Sequence, residues 1–197
     1  MGNTYRLAIR VLGIKQPITH CIGGYGPFLM DGMFAFSDFK NWGNSHNRGF
    51  SMCVEACRGK ECVFDIGAHI GLVSLPVSAV LNKNGSVYAF EPAEANLRLF
   101  LSHIKLNNIK NIKVVPSLVG EATVEQQKFF ERTGVTGQNT VAPVKDRSLY
   151  HEINRHSYSL DEYCAEHGLV PEVVKIDVEG SELAVLKGGM KIIQSAK

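Results

Sequence analysis

The stretch Val63-Phe-Asp-Ile-Gly-Ala-His-Ile-Gly-Leu72 decides the fold of this chain. Its first part belongs to a short apolar run, Cys62 to Ile66, with the composition of a strand buried on both faces of a parallel sheet. The run carries Asp65 and ends at Gly67, where a strand-to-helix turn is expected. A helix should follow through Leu72, Leu75, Ala79 and Val80. Pro76 falls inside it and removes a backbone hydrogen bond, so the helix must kink or start late.

Toward the C-terminus, Asn84-Gly85 marks a turn and Ser86 to Phe90 a second strand, closed by Glu91 and Pro92. Pro92 suits the opening of a helix whose apolar face is Leu97, Phe100, Leu101 and Ile104. Ile112 to Val115 reads as a third strand. Residues 121 to 145 break this rhythm: Val124, Phe129, Phe130, Val135 and Val141 surround Gly134 and Gly137, the pattern of an inserted β-hairpin. Ser159 with Glu162 three residues later is a capping box, and His167-Gly168 ends the helix it starts. Val173 to Val178 is a further strand, and Leu183, Leu186, Met190 and Ile193 then recur at helical spacing. Strands alternating with helices of this length imply right-handed βαβ units, hence an α/β fold with a mostly parallel sheet and helices on both sides.

Residues 1–61 have another texture. Glycines alternate with Phe28, Phe34, Phe36, Phe39, Trp42 and Phe50, which suggests short strands and turns packed as a cover on the core of residues 62–197. The 197 residues suffice for one domain with a sizeable core. A net charge of +2 with scattered basic residues gives a nucleic acid no electrostatic foothold. The five cysteines lack paired C-x-x-C spacing, so no metal site is expected and the thiols are read as reduced, as in the cytoplasm. No apolar run approaches the ~20 residues that span a bilayer. The opening Met1-Gly2 resembles a myristoylation signal, but Arg6 stands where that motif wants Ser or Thr.

Two constellations carry chemistry. At the first, Gly67 and Gly71 let backbone approach a ligand without Cβ interference, and the open amides of the following helix can receive an anion. Glu91, at the tip of the neighbouring strand, can accept hydrogen bonds from ribose hydroxyls, and together they describe an adenosine pocket. A nicotinamide dinucleotide is the competing ligand, although its G-x-G-x-x-G fingerprint is met only by Gly67 and Gly71. A P-loop is excluded because no G-K-[ST] occurs. The second constellation is Lys175-Ile-Asp177-Val-Glu179. A lysine in a central strand needs a carboxylate partner, here Asp65, Asp177 or Glu179. Lys175, Asp177 and Glu179 are the catalytic candidates; Asp177 or Glu179 is the preferred base to deprotonate an acceptor, with His69 and His46 as further candidates.

Three stretches resemble the FkbM-type methyltransferases, a branch of the class I S-adenosylmethionine enzymes: Val63 to Leu72, Val87-Tyr-Ala-Phe-Glu-Pro92, and Val174-Lys-Ile-Asp-Val-Glu-Gly-Ser-Glu-Leu-Ala-Val-Leu-Lys-Gly-Gly189. Ser159-Leu-Asp-Glu-Tyr163 is similar to the family's short helix ahead of the last of these. The resemblance implies a Rossmann-like three-layer sandwich and methyl transfer from S-adenosylmethionine to an oxygen of a sugar, polyketide or similar metabolite. It implies that Asp65, Gly67, Ala68 and Gly71 cradle the methionine part, with His69 as a contact to its carboxylate. Glu91, followed by Pro92, would hold the ribose, and Ser117 or Leu118 would border the adenine. The family sheet continues for three more strands, so a fragment of a longer protein is expected, with an uncovered edge beside Val173 to Asp177. A nicotinamide-dependent oxidoreductase and a non-catalytic interaction module remain the rival readings.

Overall fold

The computed structural model describes residues 16–42, 48–133, 139–144 and 146–195. Two antiparallel strands, β1 (Ile18–Ile22) and β2 (Tyr25–Met30), and a short helix, α1 (Arg48–Ala56), precede the regular part of the chain. There follow β3 (Cys62–Ile66), α2 (Ser74–Val80), β4 (Ser86–Phe90), α3 (Glu94–Leu106) and β5 (Ile112–Val115). Next come β6 (Leu118–Gly120), β7 (Val124–Arg132), β8 (Tyr150–Ser159), α4 (Leu160–His167) and β9 (Val173–Ile176), then α5 (Glu182–Gly188) and α6 (Met190–Ser195).

The central sheet has the order β5-β4-β3-β9 and is parallel throughout. Alternation along its strands sends Val63, Val87 and Ala89 into one apolar cluster and Phe64, Ile66, Tyr88 and Phe90 into another. Both faces are therefore covered, as a parallel sheet requires. On the first face lie Leu75 and Val77 of α2, Phe100 of α3, and Ile22, Phe28, Met30, Phe34 and Trp42 of the N-terminal cover. The second face is packed by Leu160 and Tyr163 of α4 and Val185 of α5. From the aromatic cover, Phe36 remains exposed.

Several elements differ from expectation for identifiable reasons. Pro76 sits in the first turn of α2, where its missing N–H would have no intrahelical partner, so the late start resolves the conflict. Pro92 lies ahead of α3 rather than opening it, because Ala93 takes the N-cap position. Leu101 turns to solvent while Leu97 and Phe100 are buried. Ser159 caps α4 by accepting from Glu162 N at 3.2 Å, and Gly168 ends it in the left-handed region at φ 62°. The last apolar repeat runs outward: Leu183, Leu186, Met190 and Ile193 are exposed, and Val185 and Gly188 face inward instead. Gly188 explains this rotation, since a Cβ there would lie 2.0 Å from the Gly120 carbonyl oxygen, so the helix seats on its glycine.

The insertion is larger than the 121–145 segment. β7 pairs antiparallel with β8, which also pairs parallel with β6, making a separate sheet of order β6-β8-β7. Thr140 only bridges Phe130. β8 escapes sequence reading because His151, Glu152, Asn154 and Arg155 give it too little apolar alternation. Gly134, Val135 and Gly137 lie outside the described residues.

His103 of α3, fully buried, joins the cover to the glycine turn. Its Nδ1 lies 2.9 Å from the Ile70 carbonyl oxygen, and its Nε2 accepts from Asp31 N at 3.1 Å. An accepting Nε2 is bare, so the ring is neutral with its proton on Nδ1. Burial pushes its pKa below the usual 6.5, against the Ile70 hydrogen bond and the Asp31 charge. An unfolded chain takes up this proton near pH 6.5 and the folded chain only at lower pH, so stability is full above 6.5 and declines as pH falls beneath it. His103→Phe should lower stability by about 2 kcal/mol at neutral pH and flatten part of this acid decline. Thermal melts of both proteins across that range measure it; parallel pH slopes would remove His103 from this role.

Candidate functional site

Chain order reverses at β3, with β4 on one side and β9 on the other. A crevice opens outside the carboxyl ends of such strands, and the candidate residues converge there. The turn after β3 leaves through Gly67 at φ 78°, and Gly67 N and Ala68 N both donate to the Phe90 carbonyl at 3.0 and 2.9 Å. Only glycine fits, because a Cβ would lie 1.9 Å from the Asp177 carbonyl oxygen at the end of β9. His69 continues the turn at φ 54°, and its N–H points to Glu91, donating to Oε2 at 2.7 Å. Glu91 Oε1 accepts from Ala93 N at 2.9 Å and Asn96 Nδ2 at 3.1 Å. Burial raises the Glu91 pKa above its ordinary value, against these three hydrogen bonds and the Lys175 charge.

Beneath the turn lies an ion pair. Lys175 and Asp65 are register partners across β9 and β3, with Nζ 2.9 Å from Oδ1 and side chains 10% and 2% exposed. Asp65 Oδ2 accepts from Ser74 Oγ at 2.6 Å, and Lys175 Nζ also donates to the Gly67 carbonyl at 3.0 Å. Burial works against the lysine's charge, but Asp65 and then Asp177 outweigh it and hold the ammonium above its usual pKa. Asp177 Oδ2 is farther, at 3.8 Å, and its side chain is half exposed.

These elements enclose a cavity of about 530 Å³. Gly67, Ala68, His69, Glu91, Pro92, Ser117 and Leu118 line it, as do Lys175, Asp177 and Glu179. Asp65 and Gly71 do not. Asp65 is directed to Lys175 and Ser74, and Gly71, at φ 92°, is where the Phe100 ring packs, 2.4 Å from a Cβ placed there. Glu179 occupies the left-handed region at φ 50° and is exposed. His46 falls outside the described residues. Among these, no group of three or more His, Cys, Asp or Glu could hold a metal ion.

Sequence reading missed part of the wall. Asn96, in the first turn of α3, and Ser157 of β8 both line the cavity, and their only signal was helix position and a polar strand. Phe129, Thr140 and Val141 bring the inserted sheet to the same wall. Arg155 of β8 fastens that sheet to the Glu91 loop: its Nε donates to the Pro92 carbonyl at 2.7 Å, and its Nη2 lies 3.2 Å from Glu94 Oε2. Glu131 of β7 adds a hydrogen bond, accepting from Glu94 N at 2.8 Å.

The model of the Methyltransferase FkbM domain matches residues 65–197. This chain belongs to the FkbM methyltransferase family. Among solved structures, methyltransferase FkbM from Methylobacillus flagellatus KT is 24% identical, covering 69% of this chain and 30% of that one, at a TM-score of 0.45. M. jannaschii TYW2 in complex with AdoMet is 22% identical over 51% of this chain and 43% of its own, at 0.38. SMU.1697c, a methyltransferase-like protein from Streptococcus mutans in complex with SAH, is 19% identical over 35% of this chain and 38% of its own, at 0.32. No curated protein matches. The chain thus spans less than half the length of these structures. Family membership sets aside the nicotinamide oxidoreductase.

In this FkbM-family chain Lys175 is tied to the sheet by two close contacts, which makes it a clamp of the glycine turn. Lys175→Met strands a buried carboxylate and should cost about 3–5 kcal/mol, whereas combining it with Asp65→Asn should restore a large part. Denaturant unfolding of the two single variants and the double variant gives the coupling; additive losses would show that the pair does not act as a unit.

Proposed function

We propose that the chain contributes the cofactor site of an S-adenosylmethionine-dependent methyltransferase that acts on a hydroxyl of a sugar, polyketide or other small metabolite. The observation that carries this reading is the 2.7 Å contact between His69 N and Glu91 Oε2, which holds the acidic tip of β4 against the glycine turn of β3 inside one cavity. The residues present fit the cofactor. Glu91 offers a desolvated acceptor for ribose hydroxyls, and Ser117, whose buried Oγ meets no hydrogen-bond partner among the described residues, stands with Leu118 where the adenine would be bordered.

When bound, S-adenosylmethionine supplies an electrophilic methyl carbon. The task of the chain is to align the acceptor oxygen with it in line and to keep water out. Gly67 and Ala68 present the turn to the methionine part, with His69 beside them. Lys175 keeps this turn in place through the Gly67 carbonyl. Asp177 or Glu179, both exposed on the cavity wall, takes the proton from the acceptor hydroxyl. Phe50 of the N-terminal segment and the inserted sheet shape the acceptor side. No nucleic-acid partner is proposed, and a cytoplasmic location suits the five free cysteines. Among the described residues no helix is long and apolar enough to cross a membrane.

Isothermal titration of the intact protein with S-adenosylhomocysteine should show binding that Glu91→Ala abolishes. Affinity should fall as pH is lowered through the raised titration range of Glu91, since protonation removes an acceptor, and Glu91→Gln should bind weakly with that dependence gone. Absence of binding to the unaltered protein would overturn the assignment.

A further inference from the structure

Chemistry-bearing side chains also meet away from the crevice, along α1 and its C-terminal end. Phe50, Cys53, Val54 and Cys57 recur at helical spacing and pack on the apolar cluster of the first sheet face. Phe50, at one end of this row, lines the cavity, with Lys175 Nζ 5.9 Å from its ring centroid. Cys53 and Cys57 stand at the other. Their spacing of four residues sets one above the other, and Cys57 N donates to the Cys53 carbonyl at 3.1 Å. The two sulfurs are themselves in contact, the Cys57 thiol donating to Cys53.

The pair is asymmetric. Cys57 is fully buried, whereas Cys53 is only half-buried, and both are free thiols. The hydrogen bond from Cys57 lowers the Cys53 pKa, against burial and the Asp65 charge, and Lys175 adds to the lowering. The same bond, followed by burial, pushes the Cys57 thiol up. One sulfur is therefore the readier nucleophile and the other keeps its proton, which is the division between an attacking and a resolving thiol.

Helix geometry decides how such a pair closes. A regular helix holds Cβ atoms four residues apart at about 5–6 Å, more than the roughly 3.5–4.5 Å of a disulfide. The end of α1 can yield the difference, because the helix stops at Ala56 and Cys57 N is shared between the Cys53 and Val54 carbonyls, at 3.1 and 3.2 Å. A bond closed under that strain is readily reduced again.

We propose that Cys53 and Cys57 form a reversible peroxide-sensitive thiol pair, Cys53 attacking and Cys57 resolving. The Cys53 thiolate attacks one oxygen of a hydroperoxide: an S–O bond forms, the O–O bond breaks, and hydroxide or alkoxide leaves and takes a proton from solvent. The Cys57 sulfur then attacks the resulting sulfenic acid: the S–S bond forms, the S–O bond breaks, and the oxygen departs as water with the Cys57 proton. Two thiols are oxidised and one peroxide is reduced. This modification site stands independently of the methyl-transfer reading.

The test treats the reduced intact protein with stoichiometric hydrogen peroxide, blocks remaining thiols with iodoacetamide and follows tryptic peptides by mass spectrometry. Cleavage after Arg48 and Arg58 leaves both cysteines on one peptide. That peptide should become lighter by a pair of hydrogens, about tenfold faster than the exposed Cys21 is oxidised, and should return to its starting mass with a thiol reductant. Cys57→Ala should give no disulfide and should leave Cys53 as a sulfenic acid that dimedone captures. Cys57→Ser, which keeps a donor, should also give no disulfide yet should oxidise at Cys53 faster than Cys57→Ala; circular dichroism verifies the fold of both. Oxidation of Cys21 ahead of Cys53 in the unaltered protein would overturn the proposal without recourse to any variant. So would alkylation of both Cys53 and Cys57 after peroxide treatment, or equal Cys53 oxidation rates in all three proteins.

Discussion

Lys175 and Asp65 face each other across β9 and β3, and their 2.9 Å contact ties together three features of the site. It joins the two strands on either side of the crevice, delivers a second lysine proton to the Gly67 carbonyl, and leaves Asp65 Oδ2 to anchor Ser74 at the start of α2. A charge so deeply buried is tolerable only when fully partnered. Strand, turn and helix meet at this ion pair, and the approach of Gly67 to the Asp177 carbonyl admits no side chain.

From that turn the arrangement spreads to β4. The amides of Gly67 and Ala68 are spent on the Phe90 carbonyl, which brings the His69 amide to Glu91. A carboxylate in this position is desolvated but not abandoned, since three N–H donors surround it. Burial still dominates and raises its pKa against these donors and the Lys175 charge. The lysine below and the glutamate above thus share one turn, the first holding its shape and the second giving it a chemical preference.

The inserted sheet gives the cavity its remaining wall. Its outer strand β7 carries solvent-facing polar residues, while Phe129, together with Leu118 and Ala93, forms a small apolar cluster next to the cavity. Arg155 and Glu131 attach this wall to the Pro92–Glu94 loop, so that Glu91 is fixed from two sides, by the parallel sheet and by the insertion.

Much of this was legible in residue order. The apolar runs from Cys62, Ser86 and Ile112, separated by helical spacing, determine parallel strands because burial on two faces and crossover helices leave little else. Glu91 at a strand tip, the capping box at Ser159 and the need of Lys175 for a carboxylate were equally readable, being local or forced by the cost of an unpaired buried charge. Tertiary structure alone decided the rest. It chose Asp65 over Asp177 and Glu179 as the main partner, because register across β3 and β9 is not written in either strand. It placed Gly71 against Phe100 instead of the cavity, and turned Leu183, Leu186, Met190 and Ile193 outward by seating α5 on Gly188. It also brought Asn96 and the polar strand β8 to the wall. Contacts between residues distant in the chain carry no periodic signature, so a residue's spacing along the chain tells which element it builds, and only packing tells what it faces.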